Sequence, residues 1–182
     1  DVCFYDDVTF EDIKLHLLSK GNDQGVNRIF AEGHDLVIND SVGLTSESAK
    51  LQLFGGSVKG AVERTNIKVY AGTYSAIYGG SATKDVLGDT NVTVGKGVNP
   101  NTNYKDHGYS NLLFGAGWSG TVHGDTNINV EAGANFNYIY GGGDGEGSTV
   151  KGSTNTKFAG NTMAIYGGSR NGASGDSYIE MT

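Results

Sequence analysis

The sequence repeats one unit of 24–26 residues, and this repeat limits the chain to a small set of folds. The unit consists of an aliphatic-aromatic pair, two small residues, a turn with a Val-x-Gly step, and Thr-Asn followed by an alternating segment. Its fullest copy reads IYGGGDGEGSTVKGSTNTKF from Ile139. The aromatic residue marks five copies, at intervals of 24, 36, 26 and 26 residues: Phe54, Tyr78, Phe114, Tyr140 and Tyr166. A period in the twenties with one long interval predicts a solenoid that carries an insertion.

The segment that begins at each Thr-Asn step alternates between two faces. One face is mostly apolar in every copy and is expected to point inward: Thr65, Ile67 and Val69; Thr90, Val92 and Val94; Thr126, Ile128 and Val130; Thr154, Thr156 and Phe158; Ser177, Ile179 and Met181. The other face is expected to be solvated: Lys68, Thr93, Asn129, Lys157 and Glu180. A second inward column is aliphatic throughout, and a third is weaker: Leu53, Ile77, Leu113, Ile139 and Ile165; then Val86, Val122 and Val150.

Three short strands in each coil of 24–26 residues are typical of a parallel β-helix. We therefore predict an all-β fold, a single-stranded parallel β-helix or β-solenoid. Coils in this fold stack at about 4.8 Å, so each residue type lies on its own copy in the next coil. The glycine pairs, such as Gly79-Gly80, are expected at corners where the backbone takes positive φ.

Residues 1–28 match the repeat poorly and are predicted to form an N-terminal coil or cap. Apolar and polar residues alternate from Val8 to Leu17, which favours strands. An amphipathic helix over residues 8–20 that caps the solenoid is the alternative.

Residues 29–182 are expected to form the β-helix coils, with an inserted loop at 95–111. The first of these coils, at Ile29-Phe30, is degenerate. Because the chain starts at Asp1 without a leader and stops at Thr182 inside a repeat, we expect a fragment of a longer protein, with further repeats or domains beyond it.

Composition and charge exclude several classes of protein. Thirty glycines without a Gly-x-y period exclude collagen. A net charge of −7 argues against nucleic acid and anionic membranes as partners, and no apolar run is long enough to insert into a bilayer. Cys3 is the single cysteine, so neither an internal disulfide nor a multi-cysteine zinc site is possible, although pairing outside the chain stays open. No cofactor is predicted.

Two columns allow both a structural and a binding interpretation. The asparagines Asn66, Asn91, Asn127 and Asn155 form either a ladder that satisfies corner backbone or an exposed polar row that orders ice or a polysaccharide. Tyr178 takes the asparagine position in the last copy. The aromatic column forms either a structural stack or a stripe on which sugars stack.

Repeats of this IYGGG…V.G.TN type, over residues 29–182, resemble the β-helical segments of large surface exoproteins and adhesins, chiefly of Gram-positive bacteria. The resemblance is one of repeat style. It implies an extracellular protein, wall-attached or secreted, in which the solenoid is a stalk or presents a ligand-binding surface. It supplies no catalytic residues.

Residues with reactive side chains are scattered. GGGDGEGST from Gly141 partly resembles the calcium nonapeptide of β-rolls, with Asp144 and Glu146 as oxygen donors, but that nonapeptide occurs in tandem and here the period is 26. A solvated turn is the preferred interpretation, so no metal is predicted. Asp89 and Asp125 are expected to bond their own turn backbone.

No catalytic residue is predicted either. His123 aligns with Lys59, Leu87 and Lys151 of other copies, and such variety predicts exposure without a role. Ser, His and Asp residues occur, but no nucleophile motif surrounds them.

The insertion is the place where the repeat fails to explain the residues. It contains the single proline and a group of aromatic and polar residues that are predicted to bind ligand: Tyr104, Lys105, Asp106, His107 and Tyr109. Trp118, the only tryptophan, follows in the next coil. Aromatic rings beside hydrogen-bonding groups suit carbohydrate. The alternative is that Trp118 packs under the loop and anchors it.

Two classes of function follow. The first is a non-catalytic adhesin segment that acts as a stalk and presents a site for a host glycan or surface protein, or that acts as a spacer alone. The second is a polysaccharide lyase or hydrolase of the β-helix class, which requires an acidic cluster with a basic residue, or paired carboxylates, on one exposed surface. Scattered acidic residues favour the first class.

Overall fold

The computed structural model describes residues 1–18, 25–46, 50–100 and 111–182. Within these ranges the chain contains twenty β-strands and no α-helix. The strands are β1 Val2–Cys3, β2 Val8–Phe10, β3 Lys14–Leu17, β4 Val26–Phe30, β5 Asp35–Ile38, β6 Gly43–Ser46, β7 Lys50–Phe54, β8 Thr65–Val69, β9 Gly72–Tyr74, β10 Ala76–Tyr78, β11 Thr90–Val94, β12 Val98–Pro100, β13 Leu112–Phe114, β14 Gly120–Val122, β15 Thr126–Val130, β16 Asn135–Tyr140, β17 Ser148–Val150, β18 Thr154–Phe158, β19 Asn161–Tyr166 and β20 Ser177–Met181. The prediction of an all-β fold is confirmed.

Two parallel sheets of seven strands each form the solenoid. Sheet A has the order β1-β4-β7-β10-β13-β16-β19, and sheet B has the order β2-β5-β8-β11-β15-β18-β20. Seven stacked strands in each sheet correspond to about six turns, which confirms the parallel β-solenoid. A third strand in the coil occurs in short pairs: β3–β6 and β9–β12 on the way from sheet B to sheet A, and β14–β17 on the way from A to B.

The strand register follows the predicted columns. Ile77 pairs with Leu53 on one side and with Leu113 on the other, so the 36-residue interval changes nothing in the register of sheet A. Asn91 likewise lies between Asn66 and Asn127 in sheet B. The extra residues of the long coil therefore leave the stacking intact on both sides.

The N-terminal segment forms strands that belong to the same stack. Val2 pairs with Ile29 in sheet A, and Val8 pairs with Leu36 in sheet B. The interpretation of residues 8–17 as strands is correct, and residues 1–18 contain no capping helix. Parallel pairing thus includes the segment that matches the repeat poorly in sequence.

The valine column starts one coil earlier than the sequence alignment placed it. Val62 pairs with Val86, which pairs with Val122. Aligning Lys59 with His123 was therefore wrong, because the residue that follows Val62, and so corresponds to His123, is Glu63. The Val-x-Gly pattern marks this column at Val86, Val122 and Val150 but not at Val62, which Glu63 and Arg64 follow.

The inward columns of both sheets form the main core, as predicted. Ile67, Val92 and Ile128 of sheet B are at most 3% exposed, and the aliphatic column of sheet A packs against them. Ile139 is fully buried and pairs with Leu113 and Ile165.

The aromatic column forms a second, smaller core on the outward side of sheet A. Its six rings are stacked with centroids 4.5–5.0 Å apart: Phe30, Phe54, Tyr78, Phe114, Tyr140 and Tyr166. The first four are nearly inaccessible to solvent, whereas Tyr166 is 47% exposed. The column is therefore a structural stack over most of its length, and such contacts add to the stabilisation from area burial.

The first glycine of each pair allows close approach of neighbouring coils. A Cβ on Gly79 or Gly115 would overlap the carbonyl oxygen of the equivalent glycine in the next coil. That oxygen also accepts a hydrogen bond from a buried threonine, for example Thr65 Oγ1 to the Gly79 oxygen at 2.7 Å. The expectation of positive φ at these corners was wrong, because among the described glycines positive φ occurs elsewhere: Gly25, Gly33, Gly72, Gly120 and Gly133.

Replacing Ile139 by alanine tests the central column. We expect Ile139→Ala to lower the free energy of unfolding by about 2–5 kcal/mol, because it leaves a cavity between Leu113 and Ile165. Met163→Ala is the control, since Met163 is 73% exposed. Urea denaturation of both variants measures the effect; equal, small losses would contradict the inward assignment.

Thr156 offers a test in the opposite direction. Its side chain is buried in the core, and its Oγ1 has no hydrogen-bond partner among the described residues. Thr156→Val should therefore raise the free energy of unfolding by about 1 kcal/mol.

The matched control is Thr154→Val, in the same strand. Thr154 Oγ1 bonds the Gly167 oxygen and Ser177 Oγ, so its loss should destabilise the protein by about 1–3 kcal/mol. Thermal or urea unfolding measures both variants. If the free energy of unfolding changes in the same direction for Thr156→Val and Thr154→Val, the contrast between an unpaired and a paired buried hydroxyl is wrong.

Candidate functional site

Trp118 lies in the turn after β13 and is half exposed. Its backbone N–H donates to the Ser81 oxygen at 3.1 Å, and its carbonyl accepts from Gly145 at 2.9 Å. The indole is 49% exposed, although both neighbouring coils hold its backbone. Trp118 occupies the position four residues after the ladder aromatic, where other coils carry small or charged residues: Val58, Ala82, Asp144 and Arg170.

Asp144 in the next coil is the centre of a polar network beside Trp118. Its Oδ1 accepts from Arg170 at 3.0 Å, and its Oδ2 accepts from the Tyr78 hydroxyl at 3.1 Å. Burial, reinforced by the Asp144 carboxylate, raises the pKa of Tyr78 far above its usual value, so this hydroxyl stays protonated and donates. Arg170 forms an ion pair with the Asp144 carboxylate, which a calcium ion would require as a ligand. This contact supports the interpretation of the glycine-rich segment as a turn and not as a calcium site.

The inserted segment enters the solenoid at the other end of β13. Within the predicted insertion at 95–111, Val98–Pro100 form β12, which pairs with β9. Pro100 and Asn111 lie on the way from sheet B to sheet A, whereas Trp118 follows sheet A. The strand β13 and the turn residues 115–117 separate Asn111 from Trp118 along the chain. The other predicted ligand-binding residues lie outside the described residues: Tyr104, Lys105, Asp106, His107 and Tyr109.

The outward face of sheet B contains an open groove with a volume of about 390 Å³. One side is a row of residues in register: Asn91, Asn127, Asn155 and Tyr178. The other side is the row two residues further along each strand: Thr93, Asn129, Lys157 and Glu180. Sequence reasoning described these rows separately, as a ladder and as a solvated face. The signal for a groove is that both rows are rich in uncharged polar residues over the same coils.

The asparagine row forms a chain of amide hydrogen bonds. Asn155 Nδ2 donates to Asn127 Oδ1 at 3.1 Å, and Asn127 Nδ2 donates to Asn91 Oδ1 at 3.2 Å. The chain ends on backbone, where Asn91 Nδ2 donates to the Thr65 oxygen at 3.3 Å. The ladder interpretation is thus correct, but its amides mainly bond one another and not the corner backbone.

Aspartates at the corner between sheets A and B connect successive coils. Asp89 Oδ1 accepts from the Asp125 N–H, and Asp125 Oδ1 accepts from the Ser153 N–H, each at 2.8 Å. These carboxylates were expected to bond their own turns; instead each bonds the next coil, because stacking brings that N–H within reach.

His123 also spans coils at this corner. Its Nε2 lies 3.3 Å from Asp85 Oδ2, and its Nδ1 lies 3.3 Å from Lys151 Nζ. The side chain is exposed as predicted and bridges two charged residues, and the expectation that it has no functional role stays a prediction.

One further group contains three residues of the metal-binding type. Among the described residues, the oxygens of Asp6 and Asp7 and a ring nitrogen of His34 lie within 4.8 Å of one another. Asp7 Oδ1 already accepts the Asp35 N–H at 2.7 Å, so this carboxylate joins the first coil to the second. A contact between two coils at the surface therefore accounts for the proximity of these three residues.

Asp85 gives a pH-dependent test of these contacts. The N–H of Thr121, 2.8 Å from Asp85 Oδ1, lowers the pKa of Asp85 below its usual value of 3.8. The carboxylate therefore stabilises the fold at neutral pH, and this contribution is lost as the pH falls through the lowered value. Asp85→Ala should cost about 1 kcal/mol at neutral pH.

Urea denaturation from neutral pH to about pH 2 measures this dependence. The difference in the free energy of unfolding between the parent and Asp85→Ala should become smaller towards pH 2. Asp40→Ala, at an exposed carboxylate, is the control. If this difference stays constant with pH, the ionised Asp85 carboxylate does not stabilise the fold in the way described.

The described residues contain no helix, and hence none that spans a membrane. No protein-family model, curated protein or solved structure matches this chain.

Proposed function

We propose that this chain is a non-catalytic, extracellular β-solenoid segment of a bacterial surface adhesin. In this proposal it is wall-attached or secreted, serves as a stalk, and presents a site for a host glycan or host surface protein. The repeat style shared with Gram-positive surface adhesins motivates the assignment to that class.

The observation that carries the proposal is the unbroken register of both large sheets. Each sheet continues through seven strands in parallel register, and the inward columns are buried in the central coils. Six steps of about 4.8 Å give a rod of roughly 29 Å. A rod that lengthens by a fixed amount per coil suits a stalk, because added coils change its reach without changing its cross-section.

The positions of the carboxylates support a non-catalytic role. Asp85, Asp89 and Asp125 accept backbone N–H groups of neighbouring coils, and Asp144 pairs with Arg170. These groups hold the fold and are already engaged in structural contacts. A lyase or hydrolase requires carboxylates directed at one substrate position.

Trp118 is the described residue that best supports ligand presentation. Backbone hydrogen bonds on both sides fix its turn, while half of the side chain faces solvent. A rigid exposed indole loses little conformational entropy on binding and offers a flat face to sugar C–H groups.

Binding to a printed array of mammalian-type glycans and to labelled epithelial cells tests this proposal. Trp118→Ala and a deletion of residues 101–110 should each weaken binding by about tenfold or more, the range for loss of an aromatic anchor. Leu87→Ala is the control, because Leu87 is similarly exposed, at 47%.

Unfolding measurements on the same variants separate binding from folding. Reduced binding with unchanged stability supports the site. A Trp118→Ala variant that loses stability but binds normally when folded would mean that Trp118 only anchors its surroundings. Cleavage of polygalacturonate by the parent protein would contradict the non-catalytic assignment.

A further inference from the structure

The groove on the outward face of sheet B has side chains with unused hydrogen-bonding capacity. Asn129 and Thr93 are partly exposed, and neither side chain bonds another side chain or backbone group in the part of the chain that the structure describes. An amide offers two donors and an acceptor, and a hydroxyl offers one donor and two acceptors. These groups lie on adjacent strands in register, so they face a ligand together.

The asparagine row on the other side of the groove retains part of its capacity. Each Asn Nδ2 uses one hydrogen in the ladder, which leaves the second for a ligand. The ladder also fixes the amide orientation, because Asn127 both donates to Asn91 and accepts from Asn155. The row therefore presents preorganised donors at equal intervals.

The groove carries little net charge. Of the residues that line it, Lys157 and Glu180 are charged, and they form an ion pair with Nζ and Oε1 3.8 Å apart. A strongly acidic or basic ligand would find no excess of opposite charge here. The lining thus suits a neutral ligand with many hydroxyl groups.

An aromatic ring lies at one end of the asparagine row. Tyr178 is 58% exposed and takes the asparagine position in the last described coil. Its ring supplies an apolar face beside the amides, and this combination is suited to the C–H face and the hydroxyl edge of a sugar ring.

The spacing of the rows fits a linear ligand that runs along the solenoid axis. Four coils from Asn91 to Tyr178 give three steps of about 4.8 Å, or roughly 14 Å. A hexose unit in an extended chain covers a length close to one step. Each coil therefore meets about one sugar unit with the same type of side chain.

From these observations we infer that this groove binds an extended, neutral, linear polysaccharide of hexose units. This site is separate from Trp118 and does not depend on the adhesin proposal. Thr93, Asn129 and the asparagine row form hydrogen bonds with the sugar hydroxyls, and Tyr178 stacks on one of the sugar rings.

Isothermal titration calorimetry with cellohexaose, β-1,4-mannohexaose and hexa-N-acetylchitohexaose tests the inference, with hexagalacturonate as the acidic counterpart. At least one neutral hexaose should bind, and more tightly than the corresponding disaccharide, because a longer chain meets more coils. Hexagalacturonate should bind more weakly than that neutral hexaose.

The variants locate the site. Asn129→Ala and Tyr178→Ala should each weaken binding by about tenfold, the effect of losing one or two hydrogen bonds or a stacked ring. Asn171→Ala, at an exposed asparagine away from the groove, is the matched control and should bind like the parent. Trp118→Ala should also leave the affinity unchanged. Asn129 is the safest test of the groove, because its amide makes no contact on which the described fold depends.

Several results would overturn the inference. They are the absence of binding to all three neutral hexaoses, equal affinity of Asn129→Ala and Asn171→Ala, and loss of binding in Trp118→Ala alone. Sedimentation velocity adds one more. Self-association of the parent that disappears in Asn129→Ala would assign the groove to a second copy of the chain and not to a polysaccharide.

Discussion

Stacking of each coil on the previous one, at about 4.8 Å, is the constraint on which the rest of this structure depends. It places every side chain against its own equivalent, so a column is stable only if its residue type packs or bonds with itself. Aliphatic residues do so in the core, aromatic rings do so outside sheet A, and asparagine amides do so outside sheet B. The same constraint explains the glycines, because Gly79 and Gly115 lie where backbone of the next coil leaves no room for a Cβ.

The burial of one column differs between the central coils and the last described coil. Ile128 of sheet B has coils on both sides and is 3% exposed, whereas Ile179 of the last described coil occupies the same column and is 44% exposed. The aromatic column shows the same trend between Phe114 and Tyr166. Stability in such a stack is approximately a sum of coil terms and interface terms, so each coil stabilises the coils that it contacts.

The sequence predicted the columns well, because a column is a statement about repeated residue types at a fixed spacing. It predicted the polar contacts between successive coils poorly. The role of Asp125 and the bridge through His123 depend on which backbone N–H or side chain the next coil brings near, and neighbours in space are 28 to 38 residues apart in sequence there. The glycine corners illustrate the same limit: the residue type was informative, but its cause, close approach between coils, is visible only once the coils are stacked.

The candidate sites consist of outward residues whose type the stacking of coils does not restrict. An inward residue must pack against the residues of its own column in the neighbouring coils. Strand pairing fixes the position of an outward residue but restricts its residue type less. Outside the asparagine ladder, the second outward row of sheet B changes along the axis, from Lys68 through Thr93 and Asn129 to Lys157, while the inward column beside it stays mainly aliphatic. Trp118 is an extreme case of the same freedom, since its turn is held by backbone hydrogen bonds that any residue would make. A solenoid of this kind thus separates the residues that determine its shape from those available for recognition, and the second set is where variation in ligand is expected to appear.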